Sequence, residues 1–252
     1  QCSAYLPGKG ETFQLMNSLR VFLEKNNVDN IENKIAALES YMIGILRWNE
    51  KVNLTAITDE REFIRKHFID SLLCCSSSEF LSAETVIDVG TGGGFPGVPL
   101  AVCFPSKKFL LMDSLAKRIK IVNELCDECG IRNVTAVHGR AEELARQKDM
   151  REKFDICVSR AVANMSTLSE YCLPFVRKGG TFIAYKGPDC SGEIEEAEGA
   201  IEILGGRVAR IETPEADETD FQHRLVYVAK EKATPVAYPR KPGKPGKEPL
   251  KR

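Results

Sequence analysis

The 252-residue sequence predicts an α/β protein in which a doubly wound, seven-stranded sheet follows a helical N-terminal extension. Three observations support this fold class. The first 82 residues carry helical periodicity, the residues after Ser82 alternate short apolar runs with helical segments, and a glycine-rich loop directly follows the first apolar run. Strands that alternate with helices are typical of βαβ units, whose strands lie parallel in one sheet.

The helical N-terminal extension is predicted over residues 11–82, and residues 1–10 remain unassigned. Apolar residues recur every three or four positions in Thr12–Asn26 and in Ile31–Asn49, which indicates two amphipathic helices. A third helix is predicted over Asp59–Cys75, with Asp59 as its N-cap.

Seven strands are predicted within a cofactor-binding domain at residues 83–232. Helices over Leu115–Cys129 and Met165–Arg177 connect some of these strands, and the last two strands are expected to form a short antiparallel return. The predicted strands are Thr85–Val89, Lys108–Asp113, Val134–His138, Phe154–Ser159, Gly180–Lys186, Arg207–Glu212 and Arg224–Ala229.

Charge is distributed unevenly along a chain whose formal net charge is only −1. Ser191–Asp220 contains ten acidic residues and two arginines, whereas Arg240–Arg252 contains six basic residues and one acid. The Pro/Gly-rich tail, residues 233–252, is expected to be extended or disordered. Such a basic tail can contact phosphate, although a solvated tail without a partner explains the same composition.

The cysteine content and the apolar runs indicate a cytoplasmic protein. The nine cysteines are odd in number and mostly lie in apolar stretches, which favours reduced thiols. Cys126-Asp-Glu-Cys129 has no second pair nearby, so no metal site is predicted. No apolar run reaches the roughly 18 residues of a membrane span, and no secretory signal is recognised.

The glycine loop Asp88-Val-Gly-Thr-Gly-Gly-Gly-Phe-Pro-Gly97 is the strongest local signal. Gly92, Gly94 and Gly97 fit the spacing of a dinucleotide-binding loop. Asp88, Gly90, Gly92 and Gly94 equally fit the acidic loop of S-adenosylmethionine enzymes, and a tight turn without a ligand is the third interpretation. Both ligand interpretations place the acid at the end of the second strand, Asp113, on a ribose.

Residues at the ends of later strands favour S-adenosylmethionine over a dinucleotide. After the third strand, Glu142 can accept a hydrogen bond from an adenine amino group while the backbone of Ala141 holds the ring. Arg160 directly follows the fourth predicted strand, at the edge where side chains of such sheets face the ligand. The sequence shows no clear hydride-transfer group that would support a dehydrogenase.

Motifs that the sequence lacks narrow the choice of methyl acceptor. The fourth strand ends in Ser159-Arg-Ala-Val162 and not in the Asn/Asp-Pro-Pro-aromatic motif of enzymes that methylate exocyclic amino groups. No Pro-Cys pair supplies the nucleophile that pyrimidine C5 methylation needs. Guanine N7 carries a lone pair in the neutral base, so its methylation requires positioning but no general base.

Taken together, the motifs resemble the glucose-inhibited division protein B (RsmG) family of bacterial 16S ribosomal RNA guanine-N7 methyltransferases. They follow the family order from about Leu15 to the tail. The matching pieces are Trp48-Asn-Glu-Lys-Val-Asn-Leu-Thr55, His67-Phe-Ile-Asp-Ser-Leu72, Asp88–Leu100, Asp113-Ser-Leu-Ala-Lys-Arg118, Gly139-Arg-Ala-Glu142, Ser159-Arg-Ala-Val-Ala163 and Tyr238-Pro-Arg-Lys-Pro-Gly243.

The resemblance implies a Rossmann-like class I methyltransferase that uses S-adenosylmethionine. The implied substrate is 16S ribosomal RNA or the small ribosomal subunit, methylated at the guanine-527 position. Cofactor contacts are implied at Gly90, Phe95, Ala141, Glu142 and Arg160, with Phe95 acting through backbone or packing. A small-molecule methyltransferase and an RNA-binding assembly factor with a vestigial cofactor loop are the rival hypotheses.

The remaining polar residues are assigned roles less directly. Candidate RNA contacts are Arg118, Lys186, Arg240 and Lys241, because basic side chains position phosphates. His67 is interpreted as a packing histidine and not as a catalytic base. For Asn53 and Thr55, capping of the following helix competes with a role in the site.

Overall fold

All seven predicted strands are present in the computed structural model, which describes residues 16–160, 162–214 and 223–251. They form one sheet in the order β3-β2-β1-β4-β5-β7-β6. The strands are β1 Thr85–Val89, β2 Lys108–Asp113, β3 Val134–His138, β4 Phe154–Arg160, β5 Val176–Lys186, β6 Gly206–Glu212 and β7 Arg224–Lys230.

Helices precede the sheet and connect most of its strands. Before β1 lie α1 Asn17–Lys25, α2 Ile31–Asn49, α3 Glu60–Phe63, a π-helical segment Ile64–Ile69, α4 Asp70–Leu72 and α5 Ser78–Ser82. Between and after the strands lie α6 Gly97–Cys103, α7 Ala116–Glu128, α8 Ala141–Leu144, α9 Met165–Cys172, a 3-10 turn Leu173–Phe175, α10 Ser191–Ile203 and α11 Lys244–Lys247.

The strand order places a ligand site at the carboxyl ends of β1 and β4. Strands β1 to β5 pair in parallel, and the chain winds outward in one direction from β1 to β3 and in the other from β4. Ligands of open α/β sheets bind where this order reverses. The last two strands pair antiparallel as expected, and β7 lies between β5 and β6, antiparallel to both.

Two predicted helices end earlier than expected. The helix that begins at Met165 stops at Cys172, and Val176 already belongs to β5. Pro174 explains this early end, because proline has no N–H to continue the helical ladder. Asp59 caps its helix as predicted, accepting the Glu62 N–H at 2.9 Å, but that helix ends at Leu72. Residues 12–15 of the first predicted helix lie outside the described residues.

The N-terminal helices share one core with the sheet. Leu38 of α2 and Phe63 of α3 are buried with Leu111 of β2 and Leu125 of α7, so the extension covers one sheet face. A second buried cluster, including Cys157 and Leu168, fills the opposite face. Among the described residues, every cysteine is unpaired and all except Cys129 are buried. No helix in this part of the chain has the length and apolar character to cross a membrane.

The C-terminal tail is folded against the protein over its described residues, which corrects the expectation of an extended or disordered segment. Pro239 and Pro245 are buried, and α11 forms within the Pro/Gly-rich sequence. The composition is misleading because carbonyls of the tail accept hydrogen bonds from Arg146 and Arg151, and the tail donates to Glu170.

Candidate active site

Two buried aspartates hold the glycine loop at the carboxyl end of β1. Oδ2 of Asp88 accepts hydrogen bonds from the Thr91 hydroxyl at 2.6 Å and from the Gly97 N–H at 2.8 Å. Oδ2 of Asp113 accepts the Gly92 N–H at 3.0 Å. Burial raises the pKa of Asp88 to about 6, even though these hydrogen bonds lower it. The acidic residues at the ends of β1 and β2 therefore fix the path of the loop.

The loop glycines differ in what surrounds them. Gly92 has φ +59°, and a Cβ added there would meet no protein atom within 4 Å. Gly94 has φ +93°, and its Cβ would collide with the Tyr41 hydroxyl and with Val98. Gly94 is thus required by packing, whereas Gly92 borders open space of the kind a ligand can fill.

A cleft of about 510 Å³ is lined by residues of both the glycine loop and the N-terminal extension. Backbone of Gly90–Gly93 forms one side, and Leu54, Ile57 and His67 from the extension form another. Four basic side chains also line it, which suits an anionic partner. These side chains are Lys66, Arg118, Arg160 and Lys186.

Arg160, at the end of β4, is fixed by several partners on the N-terminal extension. Its Nη1 donates to the Lys66 carbonyl at 3.0 Å and forms an ion pair with Asp70. Its guanidinium carbon lies 5.8 Å from the centre of the Phe95 ring. A guanidinium held by several partners loses little further entropy when its remaining donors meet a ligand.

Asp70 links Arg160 to His223. Its carboxylate is 2% exposed and pairs with both side chains. Burial favours the neutral form of Asp70, but the hydrogen bond from His223 and the charge of Arg160 outweigh it and lower its pKa. Asp70 is therefore a buried anion that holds two cleft-lining side chains.

His67, on the N-terminal extension, packs against Phe95 beside the glycine loop. Its ring stacks on Phe95 with a centroid distance of 4.4 Å and an interplanar angle of 15°. Nδ1 lies 3.2 Å from Nη2 of Arg160, and Nε2 lies 2.7 Å from the Thr55 hydroxyl. Arginine can only donate, so Nδ1 accepts and the proton resides on Nε2. Burial and then the charge of Arg160 lower the pKa of His67 to about 3. This geometry supports the packing interpretation.

Thr55 and Asn53 do not cap the following helix, because Asp59 fills that position. The Thr55 hydroxyl instead accepts the Ile57 N–H at 3.0 Å and contacts His67. Asn49, which the sequence did not single out, fixes the Thr55 backbone through hydrogen bonds in both directions. Asn53 is exposed.

The predicted adenosine contacts follow the same sheet edge beyond Gly92. Asp113 ends β2 beside His138 of β3, and Ala141 and Glu142 begin α8 shortly afterwards. Glu142 is 4% exposed. Its Oε1 accepts the Gly243 N–H at 2.8 Å, and Oε2 makes no hydrogen bond within the described part of the chain. Asp113, Ala141 and Glu142 do not themselves line the cleft of Arg160, but Asp113 contacts Gly92 and Arg118, which do.

The residues present fit S-adenosylmethionine. Gly92 offers backbone next to open space, Asp113 ends β2 beside the loop, and Glu142 keeps an acceptor oxygen. Oδ1 of Asp88 is also buried without a hydrogen-bond partner. A nucleoside with hydroxyl and amino donors, attached to a cationic group, complements this set of acceptors.

The four candidate RNA contacts differ in their exposure and in their ion-pair partners. Arg118 is 34% exposed and lies 3.5 Å from Asp113, and Lys241 is exposed. Lys186 donates to the Ala163 carbonyl at 3.1 Å and pairs with Glu193 at 2.5 Å. Arg240 is 18% exposed, and its guanidinium pairs with the fully buried Glu170. Arg240 therefore faces the protein interior and not solvent.

Sequence reasoning missed three groups that organise the site. Asp70 lies in the motif His67–Leu72, where an acid among apolar residues was the available signal. Tyr41 donates to the Gly93 carbonyl at 2.9 Å, but its position in α2 resembled any buried aromatic. His223 follows a stretch without pattern and carried no signal. No cluster of three or more potential metal ligands was found among the described residues.

The fold and the glycine loop suit a methyltransferase that uses S-adenosylmethionine, and comparison with known proteins assigns the chain to that class. The sequence profile of the family described as "rRNA small subunit methyltransferase G" (GidB) matches residues 34–222. The chain belongs to this family.

Relatives of the same description match most of the chain. The protein from Clostridium tetani (strain Massachusetts / E88) is 49% identical over 87% of this chain and 92% of its own. The protein from Clostridium novyi (strain NT) is 46% identical over 93% of this chain and 100% of its own. Both are described as "Ribosomal RNA small subunit methyltransferase G".

Solved structures of low sequence identity share the fold. An O-methyltransferase from Bacillus cereus in complex with SAH has a TM-score of 0.53 at 15% identity, covering 76% of this chain and 91% of its own. A putative O-methyltransferase from Klebsiella pneumoniae has a TM-score of 0.51 at 14% identity, covering 76% and 90%. These likenesses support the predicted α/β fold class.

Proposed function

We propose that this protein transfers a methyl group from S-adenosylmethionine to N7 of a guanine in 16S ribosomal RNA, at the guanine-527 position of the family resemblance, in the cytoplasm. Family membership supports the ribosomal substrate, and the chemistry of the cleft supports the ring nitrogen. The observation that carries the proposal is the setting of His67: its Nδ1 accepts from Nη2 of Arg160 at 3.2 Å, and burial and the charge of Arg160 lower its pKa to about 3. This neutral imidazole is not poised to remove a proton, and an N7 acceptor needs no such removal.

The cofactor side of the site is assigned to the glycine loop and the ends of β2 and β3. Backbone of Gly90 and Gly92 approaches the ligand, Asp113 accepts from the ribose hydroxyls, and Glu142 accepts from the adenine amino group. Asp88, Gly94, Phe95 and Ala141 shape this side by fixing the loop and the ring pocket. When bound, S-adenosylmethionine supplies an electrophilic methyl group on a positively charged sulfur.

The acceptor side is assigned to the cleft of Arg160. Its planar guanidinium is held by Asp70 and the Lys66 carbonyl, which leaves donors to orient the guanine or a neighbouring phosphate. Catalysis then consists of in-line positioning and exclusion of water, both of which a fixed side chain provides without proton transfer.

Basic residues around the opening of the cleft are assigned to contact the RNA backbone. Arg118 and Lys186 line the cleft, and Lys241 is exposed on the C-terminal segment. Contacts of this kind release counterions from the RNA, so binding weakens linearly in log salt. Arg240 is not carried into this proposal, because its guanidinium pairs with Glu170.

The test is mass-spectrometric mapping of N7-methylguanine in 16S ribosomal RNA from cells with and without this gene. The modification should disappear with the gene and return when the wild-type gene is restored. Unmodified RNA and intact small subunits from the deletion strain, incubated with protein and labelled cofactor, identify which of the two is methylated. Methylation that is unchanged in the deletion strain, or label found only in small molecules, would overturn the proposal.

A further inference from the structure

The C-terminal segment, residues 233–251, is fixed to the body of the protein at its beginning. The guanidinium of Arg151 donates to the carbonyls of Thr234 at 2.8 Å and Tyr238 at 2.9 Å. The Thr234 N–H in turn donates to Glu152 at 2.7 Å, and Glu152 pairs with the fully buried Lys230. These contacts between the body and the segment define where the segment starts.

A buried ion pair fixes the middle of the segment. Glu170 of α9 is 0% exposed and accepts from the Arg240 backbone N–H at 2.7 Å and from its Nη2 at 2.7 Å. Nε of Arg240 also lies 3.0 and 3.1 Å from the two carboxylate oxygens. A carboxylate this deeply buried is strongly unfavourable without its partner. The pair therefore sets the position of Arg240 relative to α9.

Three residues beyond Arg240, the segment reaches the predicted adenine pocket. Gly243 has φ +79°, a left-handed conformation that glycine adopts without strain. The turn directs its N–H to Oε1 of Glu142 at 2.8 Å. A second contact secures the turn, because the Thr167 hydroxyl donates to the Pro245 carbonyl at 3.0 Å.

We propose that the C-terminal segment is a positioning element of the cofactor site. The Gly243 N–H holds one oxygen of Glu142, so that Oε2 is aimed at the 6-amino group of adenine. Arg240 acts through Glu170 to place Gly243, and it is a positioning residue without ligand contact. This inference rests on the proposed function, because it takes Glu142 as the adenine acceptor.

The hydrogen bond between Gly243 and Glu142 is suited to making the site specific for adenine. A carboxylate with two free oxygens can rotate and accept from several directions, whereas one with an oxygen already bonded presents the other in a fixed direction. Sites that hydrogen-bond a ligand group discriminate strongly against analogues that lack it, because a buried acceptor is left unpaired. Loss of the segment should therefore change ligand preference as well as affinity.

The test compares binding of S-adenosylhomocysteine and S-inosylhomocysteine, in which oxygen replaces the 6-amino group, by isothermal titration. Three chains are used: full length, a chain ending at Pro242, and a control ending at Leu250. The full-length chain and the control should prefer the adenine compound by roughly tenfold or more. In the chain ending at Pro242 this preference should shrink to about threefold or less, while circular dichroism shows an intact fold.

A second variant covers the case in which the shortened chain does not fold. Arg240→Lys keeps a positive charge near Glu170 but loses the planar guanidinium that makes several hydrogen bonds. Its preference for the adenine compound should therefore lie between those of the full-length and shortened chains. Equal loss of affinity for both compounds would show a merely structural role and overturn the inference. An unchanged preference in both variants, or no preference in the full-length chain, would also overturn it. Failure of the full-length chain to bind S-adenosylhomocysteine at all would instead count against the proposed function.

Discussion

The two sides of the cleft are built from different parts of the chain. The glycine side consists of backbone, Gly90–Gly93, whose path is fixed by buried carboxylates beneath it. The helical side consists of side chains, in which Thr55, His67 and Asp70 meet Arg160. A backbone surface is sensitive to any added Cβ, whereas a side-chain network is sensitive to loss of a partner. The two sides should therefore respond differently to substitution.

The largest effect is expected at Asp70. Asp70→Ala leaves the buried charge of Arg160 without its carboxylate and removes one partner of His223. The free energy of unfolding should fall by about 3–5 kcal/mol, as measured by urea denaturation. The matched control is Asp127→Ala, which removes an exposed ion pair with Arg132 and should leave stability unchanged within error. Equal stability of the two variants would contradict the stabilising role of Asp70.

Gly94→Ala and Gly92→Ala should affect the glycine side in different ways. Both glycines have positive φ, so both variants carry backbone strain of about 1–2 kcal/mol. Only the Cβ at Gly94 meets Tyr41 and Val98, so this variant should be the less stable by a further 1–3 kcal/mol, approximately. Gly92→Ala should retain its fold in circular dichroism and lose cofactor binding by titration. If Gly92→Ala bound cofactor normally, the open space beside it would not be the ligand site.

The pH dependence of stability separates the two sides. His67 has a folded pKa of about 3 against an ordinary value of 6.5, so its contribution is present above 6.5 and is lost as pH falls toward 3. Asp88 opposes it, because a pKa raised from 3.8 to about 6 gives a contribution that is lost as pH rises through that interval. His67→Gln removes the first contribution alone. Its unfolding free energy should therefore fall less on acidification than that of the wild type, and an equal or steeper fall would contradict the assignment.

The smallest effect is expected on the exposed rim. Lys241→Ala should weaken RNA binding at low salt and reduce the slope of log affinity against log salt by roughly 0.7–0.9, the contribution of one phosphate contact. Cofactor affinity should be unaffected, because Lys241 is exposed on the surface. An unchanged slope in filter-binding assays over several salt concentrations would remove Lys241 from the RNA surface.

The sequence predicted the glycine side better than the helical side for a physical reason. Strand periodicity and positive-φ glycines are local properties, so β1, β2 and the loop from Asp88 to Gly94 could be placed from neighbouring residues. Asp70 and His223 are separated by 153 positions, and their pairing arises only from the folded topology. The antiparallel return of the last two strands was predictable, but the position of β7 between β5 and β6 was not, since an apolar pattern does not specify which strands pair.

The C-terminal segment was mispredicted for a related reason. Proline, glycine and lysine are typical of extended chains because they bury little apolar surface. Here the order comes from partners far upstream, chiefly Arg151 and Glu170. A glutamate within the predicted helix Met165–Arg177 was the one signal for such a partner, and it did not reveal which arginine would reach it.

Under the proposed function, methyl transfer depends on a positioned Arg160 and on no general base. Single-turnover methylation of 16S ribosomal RNA, with saturating RNA and cofactor, measures this directly across neutral pH. The rate should lack a rising limb near the ordinary histidine pKa, and His67→Gln should leave the profile flat. Arg160→Lys should lower the rate on the order of 10- to 150-fold by loss of one charged hydrogen bond. A steep rise near neutral pH that vanishes in His67→Gln, with Arg160→Lys close to wild type, would contradict the account.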